Sequence, residues 1–292
     1  MKSISRLLLS CALLAAAPCG TALSRTPDSL ARAHIVRLEL KDGNTLVGTV
    51  ASESHDSLHL VLPSGMRLSI AKEMIEDRSV LDATIEGGAY QRLDPNRSRL
   101  FFAPTARPVR SGTGYLAVYE LFFPYFAFGI ADILTVAGGV SLVPGTTSQL
   151  FYLGPKVSIP LGGGGSYLAV GGHYANAFGS NAEGVGIFYA AATLGSHTTA
   201  ITIGAGYGYA ESQFSENPLL IVGGEAQLSG SVKLITENWF PVGSDVSILS
   251  LGLRFFGDRV SADFGLYYPV SDASAEGFPF LPWLSFAYVI GR

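Results

Sequence analysis

The side chains best suited to chemistry in this 292-residue chain are five histidines, His34, His55, His59, His173 and His197. Their spacing fits no metal motif, and His55 and His59 fall in a short alternating stretch where they are expected to face solvent. A lipid hydrolase built on a barrel would need Ser, His and a polar partner together on the lipid face. His173 instead shares the parity of Ala169 and Gly171, the small-residue side. The run Gly162 to Gly165 has no strand–loop–helix context, which makes it a flexible turn rather than a phosphate cradle. The expectation is a protein that is not an enzyme and carries no cofactor or metal. A lipid-modifying enzyme is the minor alternative.

Charged side chains offer a different chemistry. Lys156, Glu225, Lys233, Glu237, Arg254 and Asp263 all fall on the small-residue parity of alternating segments. A two-residue turn at Asp258-Arg259 would set Arg254 opposite Asp263. A turn at Ser229-Gly230 would bring Glu225 near Lys233 and Glu237. Because buried charges need partners, one reading is an internal ion-pair network that holds a narrow barrel shut. The other is a charged constriction that chooses which solutes pass. A second group, Arg92, Arg97, Arg99, Arg107 and Arg110, shares an aperiodic stretch with Pro95, Pro104 and Pro108. It reads as a solvated linker or, beside Phe101-Phe102, as an interfacial basic segment on anionic lipid headgroups.

The elements that would position these residues divide the chain in two. Tyr90 is the only aromatic residue before Phe101, and the other 31 follow. From Thr113 onward 5 Lys/Arg stand against 12 Asp/Glu, whereas residues 1–112 carry 14 against 11. Two compositions in one chain imply two solvents. The N-terminus supplies an address: Lys2 and Arg6 precede the apolar run Leu7 to Ala17, and Gly20-Thr21-Ala22 forms a small-residue cleavage site. Residues 1–22 are therefore expected to be a cleaved signal peptide, too short to span a bilayer. Both cysteines, Cys11 and Cys19, lie inside it. The mature chain would have no disulfide and no thiol chemistry.

Residues 33–78 alternate with a period of two. Val36, Leu38 and Leu40 share a face, as do Leu58, Leu60 and Leu62, then Met66, Leu68 and Ile70. Turns are expected at Lys41–Asn44 and Pro63–Gly65, and a helical turn over Ala71 to Asp77. Residues 79–112 form the basic, Pro-containing linker. From 113 to 292 apolar residues alternate with Gly, Ala, Ser and Thr. Ile201, Ile203 and Tyr207 oppose Thr202, Gly204 and Gly208; Val260, Phe264 and Tyr268 oppose Ser261 and Gly265. An apolar face backed by a small polar one marks a strand between lipid and a lumen. Short turns at Ala131-Asp132, Leu161–Ser166, Gly195–Thr198, Ser229-Gly230 and Asp258-Arg259 alternate with longer loops. With one further reversal at Glu120–Phe123 the count is twelve strands, or ten as the alternative. Every short turn then falls at the end that holds both termini.

The string "LELKDGNTLVGTVASESHDSLHLVLPSGMRLSI" resembles the Sm-like or SH3-like small barrels. The runs "RLFFAPTARPVRSGTGY" and "ELFFPYFAFGIADILTVAGGVSLVPG" resemble Gram-negative outer-membrane β-barrel proteins in which a small periplasmic β unit precedes the barrel. The resemblance implies an all-β chain in the cell outer membrane with both termini periplasmic. It also implies membrane lipids, lipopolysaccharide, the barrel assembly machinery and a periplasmic partner of the small domain as contacts. It carries no catalytic motif, and the ending Tyr288–Arg292 departs from the terminal aromatic that assembly commonly reads. The expected function is a narrow channel or a structural envelope protein. A secreted soluble β-sandwich is the alternative, and an acidic exported chain offers no face for nucleic acid.

Overall fold

The computed structural model describes residues 35–81, 83–86, 89–162, 165–179, 183–271 and 280–291. The segment 1–22 expected to be a signal peptide, with Cys11 and Cys19, and the residues His34, Asp272, Glu276 and Arg292, lie outside the described residues.

The first alternating stretch forms a five-stranded antiparallel sheet of order β4-β3-β2-β1-β5. Its strands are β1 (Ile35–Leu40), β2 (Thr45–Glu53), β3 (Ser57–Val61), β4 (Arg67–Ala71) and β5 (Ile75–Val80). Val36, Leu38, Leu40, Leu58, Leu60 and Ile70 make its buried core. The helical turn expected over 71–77 shrinks to a 3-10 turn at Lys72–Met74. From Ile75 the chain pairs with β1 instead, Val36 facing Val80 and Leu38 facing Arg78. Pairing covers an edge that would otherwise leave its backbone groups open, and that outweighs local preference. A hairpin, β6 (Ala83–Glu86) and β7 (Ala89–Arg92), follows.

The second stretch closes into a barrel. Its strands are β8 (Gly114–Tyr119), β9 (Phe123–Ile130), β10 (Leu134–Val140), β11 (Leu150–Leu153), β12 (Lys156–Pro160), β13 (Tyr167–Ala177) and β14 (Val185–Gly195). The series continues with β15 (Thr199–Ala210), β17 (Leu219–Ser229), β18 (Val232–Pro241), β19 (Ser247–Phe256), β20 (Val260–Val270) and β21 (Leu281–Ile290). The two-residue β16 (Gln213–Phe214) folds back on β15. Both β11 and β12 pair with β10 and with β13, so they act as one strand interrupted at Gly154-Pro155. Pro155 cannot donate to a ladder. Twelve strands result, all antiparallel, and β21 pairs with β8 from Ser285–Tyr119 to Ile290–Gly114. This closure leaves no edge and excludes the two-sheet sandwich. It is also what hydrocarbon demands of a sheet.

The reversal at Glu120 is as tight as the one at Ala131. Positive φ angles at Glu120 and Leu121, and at Ala131 and Asp132, give both the twist of a hairpin turn. Along the outward face Ile203, Leu251, Phe264 and Phe286 are exposed, while Thr202, Ser261, Ser285 and Ala287 are buried inside. A sheet facing water would put charge where these apolar side chains stand. Leu121–Val143 belongs to β9 and β10, and no helix among the described residues is long and apolar enough to cross a membrane. The apolar wall suits a bilayer.

The stretch 93–111 corrects the expectation of a solvated or interfacial linker. It enters the lumen at the short-turn end, reverses at Phe101–Ala103 and returns to the end where it entered. Asn96, Leu100, Phe101, Thr105, Ala106 and Arg107 are fully buried, and Arg99 nearly so. Arg99 and Arg107 therefore meet no lipid headgroup. Arg92 sits at the mouth, 2.9 Å from both Asp258 and Ser231 Oγ. Arg97 and Arg110 border a small cavity with Asp94 and Tyr115. The physical reason is space: small inward residues leave a lumen that this plug fills. A Cβ on Gly223 would overlap Leu100 Cδ1, and one on Gly265 would lie 3.0 Å from the Phe101 ring.

Leu251, in the middle of β19, is 57% exposed on the outer wall. Leu251→Arg is expected to destabilise the folded barrel in lipid vesicles by about 2–4 kcal/mol, read by denaturant titration.

Candidate functional site

The plug has almost no regular secondary structure, so its buried backbone needs partners from elsewhere. The wall provides them. Glu237 Oε2 accepts the backbone N–H groups of Phe101, Phe102 and Ala103, each at 2.9 Å. Thr193 Oγ1 accepts from Ala106 N at 2.8 Å, and Thr135 Oγ1 from Val109 N at 3.0 Å. Lys156 Nζ donates to the carbonyls of Ser98, Thr105 and Arg107 at 3.0, 2.8 and 2.7 Å. Arg254 donates to the carbonyls of Asn96 at 2.8 Å and Arg99 at 3.2 Å, and also to Leu100 O.

Plug and wall also exchange charge. Arg254 Nε lies 2.6 Å from Asp263, the residue directly across the β19–β20 ladder, and its Nη1 lies 2.8 Å from Asp94 of the plug. Lys233 Nζ joins Asp94 at 3.2 Å to Glu225 at 2.9 Å. Arg99 reaches Asp263 at 2.9 Å, and Arg107 pairs with Glu225. All the charged groups in these pairs are buried. The six inward charges read from the sequence thus lie inside the barrel, but their partners are mostly plug atoms. Glu237 is the exception to the grouping expected around the Ser229-Gly230 turn. Its carboxylate serves the plug tip, and Oε1 accepts Trp239 Nε1 at 2.9 Å and Tyr267 Oη at 2.8 Å. Asp94 was missed in the sequence because it stands in an aperiodic, Arg-rich stretch. The abundance of small inward residues was the one available sign of a filler.

Above the tip the lumen becomes aromatic. Phe102, 51% exposed, meets Trp239, Trp283 and His173 with centroids at 6.1, 6.3 and 6.4 Å. His173 stacks on Tyr189 at 5.6 Å, and Tyr119 meets Trp283 at 5.7 Å. His173 therefore faces the interior, away from acyl chains. Among the described residues no three His, Cys, Asp or Glu side chains group as a metal site.

The fold and this interior define a plugged transmembrane β-barrel. No family model matches the sequence, and no curated protein matches it. Among solved structures, the KdgM porin in complex with disordered oligogalacturonate is similar at 6% identity and a TM-score of 0.46, covering 60% of this chain and 96% of that one. The NanC porin gives 8% identity and 0.38, covering 61% and 98%. The outer-membrane-expressed OmpT of Vibrio cholerae gives 10% identity and 0.33, covering 88% and 95%.

The two buried lysines should differ on substitution. Lys233→Met takes one of two cationic partners from each of Asp94 and Glu225, leaving Arg254 and Arg107, and is expected to cost about 3–5 kcal/mol. Lys156→Met frees only carbonyl acceptors and is expected to cost about 1–3 kcal/mol. Denaturation midpoints of the two variants, measured side by side in vesicles, check the order.

Proposed function

We propose that the chain is an outer-membrane barrel protein whose lumen is held shut by its own N-terminal plug. Both termini lie in the periplasm, where the five-stranded sheet engages another protein or the cell wall. As a channel it conducts only when the plug leaves its seat; otherwise it serves as a structural element of the envelope. The observation that carries this reading is the buried backbone of residues 96–107, paired to the wall along its length. A constriction lined by charge would leave those charges open to passing solute. Here Lys156, Glu225, Lys233, Arg254 and Asp263 are engaged with plug groups or with one another.

The orientation rests on a general asymmetry of such barrels, which keep their short turns at the periplasmic rim. Arg37 of β1, 3.8 Å from Asp258 in a short turn, supports a place for the sheet beside that rim. Lipids and lipopolysaccharide would surround the apolar wall, which the assembly machinery would insert. A lipid-modifying activity has little to support it, because His173 stacks on Tyr189 inside the lumen.

In planar bilayers the native protein is expected to show no steady conductance. Gly223→Leu with Gly265→Leu, which fills the seats of Leu100 and Phe101, should open it, and Arg254→Ala should raise conductance too. Steady conductance in the native protein, equal to that of the variants, would refute the closed reading.

A further inference from the structure

We propose that the aromatic chamber above the plug tip binds an organic cation, with an alkylammonium or a similarly soft, weakly hydrated charge set against Phe102, Trp239 and Trp283. The inference needs only the barrel and the seated tip, and holds whether or not the plug ever moves.

Three observations carry it. The first is Phe102 itself. A tip that merely sealed the lumen would have no reason to end in a phenyl ring, yet this ring is half exposed and ringed by Trp239, Trp283 and His173. Faces of such rings attract cations through their quadrupole, and tryptophan does so best. The molecule already uses the interaction there: the Arg99 guanidinium carbon lies 4.8 Å from the Tyr119 ring centroid, and Tyr119 in turn meets Trp283.

The second is the charge beneath the rings. The Glu237 carboxylate accepts hydrogen bonds from neutral donors: three backbone N–H groups, the Trp239 indole and the Tyr267 hydroxyl. Among the described residues it has no cationic partner, unlike Asp94, Glu225 and Asp263. The chamber floor therefore holds a buried carboxylate that is hydrogen-bonded by neutral donors. In a wall of low dielectric that charge acts at longer range than it would in water.

The third is the mouth. Glu183, Glu211, Glu216 and Asp245 lie exposed in the longer loops. Lys233 and Arg254 pair with buried carboxylates, Lys156 donates to three plug carbonyls, and Arg259 sits in a short turn at the opposite end. A solute entering from the loop side meets carboxylates first and then rings, with Glu237 buried beneath the tip. Carboxylates at the entrance concentrate cations there and turn anions away.

Both tryptophans of the chain, Trp239 and Trp283, stand in this chamber, so intrinsic emission reports on it directly. The experiment titrates the full mature protein in detergent with benzyltrimethylammonium, benzyl alcohol and benzenesulfonate. Expected are a saturable emission change with the cation, a weaker one with the alcohol and none with the sulfonate. Added salt should weaken the cation's binding. Phe102→Ala should weaken it on the order of tenfold, with unheated gel mobility showing that the variant is folded. If that variant does not fold, Tyr189→Leu replaces it, with a loss of severalfold expected. No saturable response to the cation, equal binding of the sulfonate, or unchanged affinity in the folded variant would overturn the proposal.

Discussion

The structure depends on one constraint: irregular backbone buried inside a barrel has no ladder of its own, so side chains must complete its hydrogen bonds. Glu237, Thr193, Thr135, Lys156 and Arg254 do this from the wall, and each serves amide or carbonyl groups between residues 96 and 109. Each such bond contributes only about 0.5–1.5 kcal/mol net, but leaving a buried group unpaired costs more than making the bond gains. The plug is therefore held less by any one contact than by the penalty of withdrawing it piecemeal. The buried charges follow the same logic. Ion pairs in a dry interior add little over apolar packing, yet losing one partner strands the other. Asp94 bridges Lys233 and Arg254, and Glu225 bridges Lys233 and Arg107, so the plug's acid and base are tied into one set.

Much of the barrel was legible in the sequence because period two is strict wherever one face meets lipid and the other does not. Ile201, Leu251 and Phe264 had to point one way and Thr202, Gly252 and Gly265 the other, and a slip of one residue would have reversed both sets. The same parity sent Lys156, Lys233, Glu237 and Arg254 inward. The plug was illegible for the opposite reason. Its residues answer to neighbours more than a hundred positions away, as Phe101 does to Glu237 and Asp94 to Arg254. No local period records such contacts. Prolines 95, 104 and 108 and the arginines made the stretch look like a tether in water. The strand at Ile75–Val80 was lost similarly, since its partner β1 lies forty residues upstream.

The interior is thus divided along its axis. Its inner part is packed and charge-balanced by the plug; its outer part is aromatic, with an acidic mouth. Small residues serve both parts, seating Leu100 and Phe101 at Gly223 and Gly265. A barrel of twelve strands leaves limited room, and the plug takes the portion in which ion pairs can be completed.

The central claim is that residues 93–111 occupy the lumen in the folded protein. Ala106 N lies 2.8 Å from Thr193 Oγ1, which makes these two positions neighbours across the plug–wall contact. With Cys11 and Cys19 replaced by serine, Ala106→Cys with Thr193→Cys should form a disulfide on mild oxidation, seen as faster non-reducing gel migration after boiling. Each single cysteine should resist a membrane-impermeant thiol reagent until the barrel is unfolded. Free labelling of Ala106→Cys in the folded barrel, with no cross-link in the double variant, would mean that the segment lies elsewhere.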